Sequence, residues 1–282
     1  MNPLRLSTPA LAALLCAAIF GGSLIGCQDR DFGMSIVQVQ PLDADDCVIV
    51  GDEETFQSSG VVDIALRESY TIHPLIQNNL LDVTQVKGLD NTDGRVNTNA
   101  VVLQSATIEY TALDTLSAQI TSPTIVPLSG TVRVGSQLIV GVEVLNRAVL
   151  GQLRDADEFL LIDDSGQARP IRASVKLIAR IRIQGETLDG KAVESNEFLF
   201  PIEVCNGCRI EYPAALLEPR GGVLSCPPVT LDAEGNPVPR PVNANTCGAS
   251  FGTEAGLVDC QQCQGIAVNS FARQLCQPPT GN

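Results

Sequence analysis

The residues best equipped for chemistry are cysteines. Ten occur in the 282 residues, and their sharpest arrangement is Cys205-Asn206-Gly207-Cys208, directly after the apolar run "FLFPIEV". This spacing permits three chemistries. An exposed pair whose first thiol is activated at a helix N-terminus exchanges disulfides. Combined with Cys260 and Cys263, the pair would form a four-cysteine zinc site. In an oxidising compartment the same residues are structural crosslinks. Two features weigh against the redox enzyme: "RIEYPAALLEPR" is broken at Pro213 and holds no long amphipathic helix, and no alternating βαβ pattern precedes the motif. The two pairs lie too far apart for the usual zinc ribbon, with Cys226 and Cys247 between them. Structural disulfides are therefore expected of Cys47, Cys205, Cys208, Cys226, Cys247, Cys260, Cys263 and Cys276, with no catalytic residue, no metal and no cofactor.

His73 in "YTIHPLIQNNL" is the lone imidazole, and neither a G-x-S-x-G elbow nor H-E-x-x-H accompanies it. On strand parity it lies opposite Tyr70 and Ile72, which makes it a solvent-facing or hydrogen-bonded strand histidine. Acidic clusters occur at Asp43, Asp45 and Asp46, at Asp52, Glu53 and Glu54, at Asp90 and Asp93, and at Asp163 and Asp164. None fits the D-x-[DN]-x-[DN]-G register that wraps calcium, so they read as solvated turns and interstrand loops.

The elements that must position these residues read as strands. In the segment from Ala173 to Val204, Ala173, Val175, Leu177, Ala179, Ile181 and Ile183 share one face. Ser174, Lys176, Arg180, Arg182 and Gln184 share the other. Asp189-Gly190 supplies a hairpin turn, after which Phe198, Phe200, Ile202 and Val204 resume the apolar face. Residues 61–66, 69–76, 100–110, 131–135 and 137–145 complete a strand set, and a short helix is expected within 147–159. Short strands interrupted by Gly, Pro, Asn and Asp predict a mainly β fold, an immunoglobulin-like antiparallel β-sandwich over residues 34–204. About 170 residues can bury an adequate core without crosslinks. Residues 205–282 are rich in cysteine, proline and glycine and poor in strand-like runs. They predict a loop-rich appendage ordered by disulfides. Cys47, the cysteine set apart from that region, is expected to staple it back to the sandwich.

The N-terminal segment has its own grammar. After Arg5 no charge occurs from Ala10 to Ile25, and the run ends in Gly21, Gly22 and Ser23, as in a secretory signal. A membrane span needs about 20 apolar residues, and those small residues interrupt it. Leu24-Ile25-Gly26-Cys27 resembles the lipobox of bacterial lipoproteins. The resemblance covers residues 1–27 and implies a signal peptide over 1–26 and lipid attachment at Cys27, the mature N-terminus. A tether over 27–33 would follow. Several acyl chains make the anchor durable, because each buried CH₂ adds roughly 0.8 kcal/mol. Gln28 in place of an aspartate after the cysteine implies, in that family, the outer membrane over the inner. With Cys16 lost and Cys27 lipidated, the remaining cysteines are even in number and can all pair. The rest of the chain resembles uncharacterised cysteine-rich envelope lipoproteins in its strand ending in C-x-G-C, and that resemblance implies no function.

Charge narrows the function further. The chain has 18 basic and 32 acidic side chains, a net −14, and loss of Arg5 with the signal leaves 17 against 32, or −15. Such a surface repels phosphate backbones and anionic headgroups, so no nucleic-acid partner is expected and the membrane is reached through the lipid. The expected role is a structural or binding module of the cell envelope, not an enzyme, with an envelope protein or polysaccharide as partner. The alternatives are an envelope thiol–disulfide oxidoreductase using Cys205 and Cys208, and a solute-binding lipoprotein. The absence of tryptophan and of two α/β lobes disfavours the latter.

Overall fold

The computed structural model describes residues 33–42, 48–49, 51, 54–82, 97–212, 226 and 257–278. The chain divides into two units, Met1–Phe32 and Gly33–Asn282. The expected signal, Cys27 and most of the tether fall in the first and lie outside the described residues. So do Cys47, Cys247 and the acidic residues Asp43, Asp45, Asp46, Asp52, Glu53, Asp90 and Asp93.

Strands of the second unit run in chain order as β1 (Met34–Gln40), β2 (Gly60–Asp63), β3 (Tyr70–Asn78), β4 (Val101–Ala112), β5 (Thr124–Pro127), β6 (Thr131–Val132), β7 (Gln137–Ile139), β8 (Val142–Leu145), β9 (Leu160–Ile162), β10 (Ala168–Pro170), β11 (Ser174–Thr187), β12 (Ala192–Glu194), β13 (Phe198–Cys205), β14 (Ile210–Glu211) and β15 (Val258–Asp259). Helices α1 (Arg147–Arg154) and α2 (Cys260–Ile266) and two short 3₁₀ segments, Asp157–Phe159 and Ala272–Cys276, accompany them.

One sheet is ordered β1-β3-β7, with β8 also pairing β3; the larger runs β2-β13-β11-β4-β5, with β12 on β11 and β6 on β4. The alternation in β11 explains its central place. Val175, Leu177, Ala179, Ile181 and Ile183 are fully or almost fully buried, while Ser174, Lys176 and Arg180 face solvent. On either side, β13 contributes Phe200, Ile202 and Val204, and β4 contributes Val101, Leu103, Ala106 and Ile108. Met34, Ile36, Tyr70, Ile72 and Ile76 of the smaller sheet join the same apolar cluster. Burying each such side chain contributes roughly 1.5–3 kcal/mol, so this shared core is what holds the two sheets together. Val149, Leu150 and Leu153 of α1, and Phe159 beyond it, extend the core. Asn146 caps α1, its side chain accepting from the Val149 N–H at 3.0 Å.

The fold is mainly β, with antiparallel sheets and a disulfide-crosslinked C-terminal region. The strand order, with β2 parallel to β13 at one edge, does not by itself establish an immunoglobulin-like layout. Local differences from the sequence reading have physical causes. The strand expected over 61–66 ends at Asp63, because its carboxylate accepts the Ala65 N–H and its carbonyl accepts those of Leu66 and Arg67, curling the chain into a turn. The strand expected over 137–145 is split between β7 and β8. The helix expected within 147–159 ends at Arg154 and resumes as a 3₁₀ turn. Strands β1, β5, β9 and β10 and helix α2 are additions that the periodicity did not mark.

The C-terminal region has a small core of its own. Ile210, Cys226, Val258, Cys260, Cys263, Ala272, Leu275 and Cys276 cluster with Ala65 and Leu66 from the turn after β2. Disulfides Cys226–Cys260 and Cys263–Cys276, with Cα–Cα distances of 6.0 and 5.5 Å, pass through it.

Candidate functional site

The C-x-G-C motif lies where β13 hands the chain to the C-terminal region. Cys205 is the last residue of β13, opposite Ser174 of β11 and, in parallel register, Asp63 of β2. The Ile64 N–H donates to the Cys205 carbonyl at 2.8 Å, so the turn after β2 and the turn after β13 leave the sheet side by side. Cys205 and Cys208 are joined in a disulfide, Cα–Cα 5.8 Å. Asn206 is held by its N–H on the Ala173 carbonyl at 2.9 Å and by its side-chain amide on the Ile171 carbonyl at 3.1 Å. Gly207 has φ +79°, a left-handed conformation that disfavours any side chain, and its Cα faces Arg172 and Leu275, which a Cβ there would touch at 3.4 Å, an ordinary contact.

Asp63 organises this turn. It is fully buried, and its Oδ1 accepts from the N–H groups of Ala65 at 3.0 Å and Gly207 at 2.8 Å. Its Oδ2 accepts from the Arg209 N–H at 2.9 Å. Burial pushes the Asp63 carboxyl above its usual range; the three backbone donors and the Arg172 charge oppose that shift without cancelling it. Arg172 is also tied to the C-terminal region, donating to the Leu275 carbonyl at 3.0 Å and stacking 4.5 Å from the centre of the Tyr212 ring. The Tyr212 hydroxyl donates to the carbonyls of Leu275 and Gln277. Arg154 of α1 donates to the carbonyls of Ile64 and Arg67, which fixes the other side of the turn after β2.

The two cysteines differ in exposure. Cys205 is fully buried, whereas Cys208 is exposed, and the ligand-type atoms of Asp63, Cys205 and Cys208 lie within 4.8 Å of one another. While the disulfide is closed neither sulfur is a thiolate, so the group does not hold a metal in this form. The four-cysteine zinc constellation is overturned, because Cys260 pairs with Cys226 and Cys263 with Cys276.

The other sequence candidates are dispersed. His73 is half-buried on β3, and burial lowers its pKa. Asp163 closes the β9–β10 turn, its Oδ1 accepting from the N–H groups of Ser165 at 2.9 Å and Gln167 at 3.0 Å. A cavity of about 360 Å³ between Pro127–Thr131 and Leu138–Gly141 has no charged lining residue. A smaller one, about 180 Å³, borders the C-x-G-C turn at Asn206 and reaches Arg154, Asp155 and Asn269. Sequence reasoning missed Asp63 altogether; its signal was an aspartate inside an apolar strand, a position where burial demands partners.

No family model matches the chain, and no curated protein matches it. Among solved structures, a solution structure described as a late embryogenesis abundant (LEA) protein aligns over 73% of this chain and 91% of its own, at 8% identity and a TM-score of 0.28. At that score the similarity carries no argument about this chain.

Proposed function

We propose that the chain is an exported cell-envelope lipoprotein, anchored through Cys27 and displaying a β-sandwich with a crosslinked C-terminal region as a structural or binding module. The observation that supports it most is the closure of Cys205–Cys208, Cys226–Cys260 and Cys263–Cys276, since disulfides persist in oxidising compartments and not in the cytosol. The lipobox residues Leu24-Ile25-Gly26-Cys27 supply the means of attachment. Gln28 favours the outer membrane, and the loops between strands are the natural place for recognition of an envelope protein or polysaccharide.

The test is the intact mass of the protein extracted from membranes, with Cys27→Ser beside it. The expected mature chain begins at an acylated Cys27, and the serine variant remains unprocessed and unlipidated. A mature N-terminus elsewhere, without lipid, would overturn the anchor.

A further inference from the structure

Of the three described disulfides, two are sealed. Cys226, Cys260, Cys263 and Cys276 are all almost or fully buried. Cys205–Cys208 is different, with one sulfur-bearing residue open to solvent and the other buried beside a carboxyl. Exchange requires an attacking thiolate to reach one sulfur while the other departs, so access selects both the bond and the end at which it is attacked.

We propose that Cys205–Cys208 is a reducible disulfide, opened by the dithiol of an exported partner protein that attacks Cys208 and expels the Cys205 sulfur. The chain is then the substrate of the exchange, which makes this a switch in the module and not a catalyst. The proposal rests on the reading of the chain as exported and on the closed disulfide, and not on the lipid anchor.

The step balances as follows. A partner thiolate forms a bond to Cys208 Sγ, and the Cys205–Cys208 bond breaks with its electron pair on Cys205 Sγ. That sulfur takes a proton from solvent. The partner's second thiolate then attacks the partner sulfur of the mixed disulfide and releases Cys208, which takes a proton from water. Two electrons leave the partner dithiol, which becomes a disulfide. Reduction removes the covalent closure of the turn at which the C-terminal region begins.

The test uses the full chain, purified in its oxidised form and exposed natively to dithiothreitol, then acid-quenched, alkylated and peptide-mapped. Cys205 and Cys208 are expected to label at least roughly tenfold faster than the four sealed cysteines, because exchange follows access to sulfur. Glutathione, a monothiol, should leave its adduct on Cys208. Equal resistance of all three disulfides, or an adduct on Cys205, overturns the site.

Discussion

A single carboxylate ties the turn after β2 to the turn at which the C-terminal region begins. Among the described residues Asp63 is the acceptor for three backbone N–H groups, two buried and one part-buried, and removing it takes that acceptor from all of them. Asp63→Ala should therefore lower unfolding free energy by about 3 kcal/mol, the scale of several unsatisfied buried donors, in urea denaturation. A loss below about 1 kcal/mol would show that water replaces the carboxylate there. His73 offers a cleaner titration, because no other imidazole is present. Burial lowers its pKa from the ordinary 6.5, so the folded chain prefers the neutral ring. The stability it contributes is whole above the unfolded value and is lost as pH falls through the folded one. Proton NMR of the folded chain should give a midpoint below 6.5, with the urea-denatured chain near that value; a folded midpoint at or above it would contradict the burial argument.

Within the strands, β11 shows how one small residue maintains a long register. Its pairing with β4 shifts between Gln184 and Gly185, a bulge at which a Cβ on Gly185 would come within 2.7 Å of the Val102 carbonyl oxygen and of a Val101 methyl. Backbone cannot yield as a side chain does, so Gly185→Ala should cost about 2 kcal/mol in chemical denaturation. Gly151 gives the opposite sign. It lies inside α1 with open space around its Cβ position, and Gly151→Ala should stabilise by up to about 1 kcal/mol, the helix propensity difference. If both substitutions moved stability in the same direction, the contrast drawn between the sites would be wrong.

For the molecule as a whole, the two cores differ in what sustains them. The sheet core draws on β1, β3, β4, β11 and β13, whereas the C-terminal cluster is small and threaded by two disulfides. Closing the 13-residue separation of Cys263–Cys276 stabilises by roughly 3 kcal/mol in the chain-entropy model. Full reduction should thus abolish hydrogen-exchange protection in α2 and at Ala272–Cys276 while β11 and β13 retain theirs. Simultaneous loss of protection in both regions would mean that the sandwich depends on the crosslinks after all.

Strand periodicity alone determined that β11 and β13 would exist, and which of their faces would be dry, because side chains alternate across a pleat whatever the neighbours are. Cysteine density likewise determined that the C-terminal region would be crosslinked. Pairing was beyond it: C-x-x-C spacing fits a redox pair, a zinc half-site or a local disulfide equally well, and only the packed chain sets Cys260 against Cys226 and Cys263 against Cys276. Short elements such as β9, β10 and α2 escaped notice because a few residues carry too little period to read. Asp63 escaped because its role is made by partners distant in sequence, Gly207 and Arg209, brought to its carboxylate by the parallel pairing of β2 with β13. Local residue type specifies a strand and its faces; which buried charge meets which turn is decided by the register between strands.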